Sequence, residues 1–124
     1  MEERMLERRW ERRLLCADLV QIEWRDQAGK TQNTTALLED ISRSGACLQL
    51  DFPVPVKALI SMRHGRKMLE GSVSYCAYHD IGYFVGVTFT AKQRWSQRVF
   101  RPKHLMDPAR LDGASDANSE KNCE

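Results

Sequence analysis

Two short stretches carry residues whose types and spacing suit chemistry. In LLEDISRSGACLQL, from Leu37 to Leu50, Asp40, Ser42 and Gly45 make a polar knot between two apolar runs. A carboxylate accepts two hydrogen bonds in parallel, which suits the amino and imino edge of a guanine. A serine donates or accepts, and a glycine lets a bulky group approach the backbone. The same residues also make a plain tight turn, with Asp and Ser bonded to nearby amides and glycine in a left-handed conformation. Spacing alone leaves both readings open. The second stretch, ERRWERRLL from Glu7 to Leu15, holds Arg8, Arg9, Arg12 and Arg13. The planar guanidinium fork binds phosphate bidentately and stacks on bases. The ordinary alternative is a solvated face of mixed charge. Against that face stands the spacing: Arg4, Arg8 and Arg12, Glu3, Glu7 and Glu11, and Arg9 with Arg13 all fall four apart. Like charges at that spacing repel on a helix, so the arm has little reason to hold a helical shape alone.

The elements that would position these groups follow from periodicity. CADLVQIEWRD alternates, with Val20, Ile22 and Trp24 on one face and Gln21 and Glu23 on the other, as in a half-buried strand. DQAGK is its turn. TQNTTALLED, ACLQLDF, KALISMR, MLEGSVSYCAY and YFVGVTFT read as five more strands, and Gly71 in the fifth suggests a bulge or bend. The prolines of FPVPV forbid regular pairing there. AKQRWSQRVF sets Trp95 and Val99 four apart, which predicts one short helix limited by Pro102. Six short strands with glycine turns favour a small antiparallel barrel or sandwich.

Bulk properties bound the rest. The chain has 124 residues, enough for one domain, with 42% hydrophobic and 29% charged residues. The net charge is +2. The segment 112–124 holds four acids against one base, −3, which leaves +5 for the remainder. A local anion site fits that balance better than a broad basic face. The segment from Asp112 is small and polar, and disorder is expected there. Cys16, Cys47, Cys76 and Cys123 have no metal spacing and are expected as reduced, mostly buried thiols. No signal peptide or membrane-spanning run is visible, and a reducing cytoplasm is the expected compartment.

Taken together, RxxxR at Arg9 and Arg13 and DxSxxG at Asp40, Ser42 and Gly45 resemble the PilZ domain, a bacterial receptor family for the second messenger cyclic di-GMP. The run YFVGVTF from Tyr83 to Phe89 is similar to that family's closing strand, and the resemblance spans roughly residues 7 to 100. Arg8 and Arg12 also form an RxxxR; Arg9 and Arg13 are preferred because Arg13 directly precedes the apolar strand. The resemblance implies an all-β fold, a six-stranded antiparallel barrel with a short C-terminal helix. A charged arm (1–13) would lead into a barrel and helix (14–106) and a flexible acidic tail (107–124). It implies that Arg9 and Arg13, helped by Arg8, hold phosphates and stack on guanine, that Asp40 and Ser42 meet a guanine edge, and that Gly45 leaves room for the base. It further implies a receptor rather than an enzyme, with no cofactor or metal beyond the ligand. The receptor would signal to an unidentified protein partner through the arm, ordered by the ligand.

Other constellations are weaker. His64, His79 and His104 are scattered and read as surface residues, the first two in turns. There is no G-x-S-x-G elbow, GxGxxG or P-loop. Trp10, Trp24 and Trp95 read as packing residues. Two alternatives stay open: a barrel of the same fold that serves only as an interaction module, and a small-barrel nucleic-acid binder. The low net charge and 8% aromatic content rank the latter last.

Overall fold

The computed structural model describes residues 12–108. Alternation builds the first strand, β1 (Leu14–Arg25), whose buried and more exposed positions alternate along its whole length. β2 (Thr31–Ile41), β3 (Gly45–Leu50), β4 (Leu59–His64), β5 (Lys67–His79) and β6 (Gly82–Phe89) follow, so all six expected strands are present. Neighbours pair antiparallel in the order β1-β2-β3-β6-β5-β4, and β4 returns to β1 from Gln21↔Arg63 to Trp24↔Ile60. The fold is therefore a closed barrel, not a sandwich. Ile22, Leu38, Leu48, Met62, Val73 and Val85 are almost wholly buried within it. Each such side chain contributes about 1.5–3 kcal/mol by leaving water.

A small barrel needs sharply bent strands, and three irregularities of register supply the bends. Cys16 and Ala17 oppose the single residue Glu39, Glu39 is again unmatched against β3, and Ser74 is unmatched against β6. The bulge in β5 is thus at Ser74 rather than at Gly71. Gly71 answers a different need: a Cβ there would lie 2.3 Å from the carbonyl oxygen of Thr88. The turn between β1 and β2 forms as expected. Asp26 accepts from the amides of Ala28 (3.0 Å) and Lys30 (2.9 Å), and Gly29 takes a φ of 82°.

The expected helix over residues 91–100 is absent, and no α-helix occurs among the described residues. Two turns stand in its place, closed by Gln93 N–H to the Thr90 carbonyl and Val99 N–H to the Ser96 carbonyl. The reason is tertiary. The Trp95 amide donates to the Arg43 carbonyl (2.9 Å), and its indole donates to the Phe100 carbonyl (3.1 Å). The first bond uses an amide that a helix would need, and both Trp95 and Phe100 are buried. The chain then runs back along β1, where Leu15 and Met106 exchange backbone hydrogen bonds of 2.6 and 2.8 Å. Cys16 and Cys76 are free thiols, as expected. Cys47, expected as a reduced thiol, is instead disulfide-bonded; Cys123, most of the arm and most of the acidic tail fall outside the described residues.

Candidate functional site

Strand direction brings one end of the barrel together: the start of β1, the end of β2, the start of β3, the end of β4, the start of β5 and the end of β6. Leu14 pairs with Ile41 and Leu15 with Asp40, which sets Arg13 beside the knot. The one-residue shift at Glu39 lets Leu38 and Ile41 both face the core. Directly opposed residues share a face, and adjacent pairs alternate. Asp40 therefore lies with Leu15 on the face opposite the Leu14–Ile41 pair, and it is nonetheless 4% exposed.

The knot is largely spent on its own fold. The Ser42 amide donates to the Gly45 carbonyl (2.8 Å), and its hydroxyl approaches the same oxygen at 3.4 Å. The carbonyl of Ser44 accepts from the Phe89 amide and that of Arg43 from the Trp95 amide. Gly45 is not left-handed; among the described glycines positive φ is confined to Gly29, Gly65 and Gly82. Its need for no side chain comes from β6, since a Cβ would sit 2.4 Å from the Val87 carbonyl oxygen. A close strand contact thus accounts for Gly45, in place of the turn conformation considered from the sequence.

Asp40 is the exception. No hydrogen bond from any described residue reaches its carboxylate. Its cross-strand neighbours, Leu15 and Cys47, carry no strong donor. Burial pushes its pKa up, the Arg13 guanidinium pulls it down, and Glu39 pushes it up again, leaving it at about 6. Glu39 is itself raised by burial. Burial, then the charges of Asp40, Asp18 and Glu39, push the Cys16 thiol up to about 12, so it stays protonated and inert. Arg12 reaches Asp107 at 3.4 Å from an exposed position. Arg13, Asp40, Ser42 and Gly45 are therefore at one barrel end, while Arg8, Arg9 and Trp10 fall outside the described residues.

A second carboxylate at this end escaped the sequence reading. Asp18 is 5% exposed; it meets His64 Nε2 at 2.8 Å and accepts from the Lys103 amide at 2.8 Å. His64 also stacks on Phe100, with ring centres 4.4 Å apart and planes 11° apart. His64 is thus the half-buried last residue of β4, not a surface turn residue. His79 ends β5, exposed, and meets Phe84 edge-on. The signal for Asp18 was available: it occupies the phase of Cys16, Val20 and Ile22, which otherwise holds only apolar residues. Among the described residues no cluster suits a metal, and no helix is long and apolar enough to cross a membrane. The sequence matches no family model and no curated protein.

Proposed function

We propose that this chain is a PilZ-like receptor that binds cyclic di-GMP and reports its presence to a protein partner. The observation that carries the reading is Asp40: a carboxylate held nearly out of water with no hydrogen-bond donor among the described residues, beside an arginine. Buried polar groups are normally satisfied, and an exception calls for an explanation. The paired N–H groups of a guanine edge would supply the two missing donors, and the charge of Arg13 suits the adjoining phosphate. Arg9, with Arg8 and Arg13, is read as the phosphate clamp, and the arm from Glu7 to Arg13 as the segment whose ordering carries the signal. The chain is read as a cytoplasmic receptor rather than an enzyme.

One observation favours a second reading. Ser42 and Gly45 both have roles in the fold, so the knot also suits a protein-interaction module that takes no nucleotide. Calorimetric titration of the folded chain at pH 8 separates the two, with GTP and a linear dinucleotide as controls. The receptor reading expects saturable heat with cyclic di-GMP and much weaker binding of the controls. No heat at high micromolar ligand removes it and leaves the interaction module.

A further inference from the structure

We infer that Asp40 gates the ligand site with its own proton: the ionised carboxylate takes a ligand's paired N–H donors, and the protonated acid does not. This rests on the nucleotide reading above and adds a form of regulation to it. The geometric ground is the combination of burial and the lack of any donor among the described residues. A buried carboxylate without hydrogen bonds is costly to keep charged, and a proton or a donor pair each relieves that cost. Here the proton and the ligand compete for the same lone pairs. The register irregularity at Glu39 sharpens the competition by placing a second carboxylate next to the first. The resulting balance puts Asp40 at about 6, inside the range in which cells and compartments vary.

The neighbours do not share this behaviour. From β1, Arg13 favours the charged form, Cys16 stays neutral, and Asp18 is held ionised by His64 and the Lys103 amide. From β2, Glu39 opposes the charge; from β3, Cys47 adds no charge to oppose or favour it. The signs distinguish them. A histidine that gains a proton, or a Glu39 that loses its charge, makes the surroundings more positive and favours an anionic ligand in acid. Only loss of the Asp40 acceptor weakens binding as pH falls. Arginine keeps its charge throughout, and the phosphodiesters of cyclic di-GMP stay ionised.

The test is titration of the full chain with cyclic di-GMP at pH 5, 6, 7 and 8, in buffers of differing ionisation enthalpy. For a single proton on a group near 6, affinity should fall about 10-fold from pH 7 to pH 5. Near pH 5.5, ligand binding should release protons into the buffer. Asp40→Asn should bind more weakly at pH 8, remain folded by circular dichroism, and release no proton. Strong binding with a flat profile from pH 5 to 8, or binding that tightens in acid, overturns the gate and leaves the receptor reading standing. No binding by folded protein at pH 8 overturns both.

Discussion

Asp18 and Asp40 are both buried carboxylates at the same end of one barrel, on adjacent strands, yet their surroundings differ in kind. Asp18 faces inward from β1 and is fully engaged by His64 and the Lys103 amide. Burial alone would push its pKa up; the hydrogen bonds from His64 and Lys103 and their charges outweigh that, and the net shift is downward. Asp40 lies on the other face at the end of β2, has no donor among the described residues, and is shifted upward. The same side chain is thus a fastener in one place and an open acceptor in the other. The direction of each shift is thus set by the donors around the carboxylate, not by its depth.

The comparison breaks most visibly at Asp18. Asp18→Ala should cost about 2–4 kcal/mol of stability, because it strands a half-buried histidine nitrogen and a backbone amide. Urea denaturation at pH 7 measures it, and hydrogen exchange should show Lys103 to Met106 loosened from β1. A cost below about 0.5 kcal/mol would place Asp18 among ordinary surface substitutions and dissolve the contrast.

Asp40→Asn should move stability the other way. A folded pKa near 6 against 3.8 unfolded is about two units, a penalty of up to about 3 kcal/mol at high pH. An unpaired amide retains part of it, so the gain should be about 1–2 kcal/mol at pH 8. The raised pKa also sets the window. The folded state binds the extra proton between about 4 and 6, so the penalty is absent below 3.8 and complete above 6. The advantage of the variant over the wild type should therefore vanish as pH falls through that range. For Asp18, with its lowered pKa, the contribution is present above 3.8 and is lost as pH falls below it. Stability curves for the two single variants from pH 3 to 8 should thus diverge in opposite senses.

The contrast also marks how far the sequence could be read. Six strands were legible because alternation is a local signal, as in Val20, Ile22 and Trp24, and barrel closure was consistent with their number. The helix over 91–100 was not, because Trp95 and Val99 share a helical spacing while Trp95 takes its backbone partner from Arg43, far away in sequence. Gly71 and Gly45 were recognisable as special positions, but the cause lies in the carbonyls of Thr88 and Val87 on a strand that only the register identifies. Asp40 stood out by motif. Asp18 carried its signal in phase alone, and its partners, 46 and 85 residues away, could not be inferred from spacing.

The smallest expected effect concerns the two arginines at the head of β1. Arg12 is ion-paired to Asp107 at 3.4 Å, with its own side chain 68% exposed, so solvent screens the pair. Exposed pairs contribute about 0–1 kcal/mol, and Arg12→Ala should change stability by less than about 0.5 kcal/mol. Arg13 is the arginine whose charge acts on Asp40. If Arg9 and Arg13 are the working pair, Arg13→Ala should weaken cyclic di-GMP binding at least about 10-fold, the equivalent of one charge-assisted hydrogen bond. Arg12→Ala should then leave affinity within about 3-fold, since it is engaged by a carboxylate that competes with any phosphate. The reverse pattern, a large loss at Arg12 and little at Arg13, would shift the motif by one residue to Arg8 and Arg12. It would also separate Asp40 from the phosphate clamp, because the charge now balancing that carboxylate would no longer belong to the ligand's grip. Titration of the two variants side by side at pH 8, where Asp40 is ionised, decides between these registers.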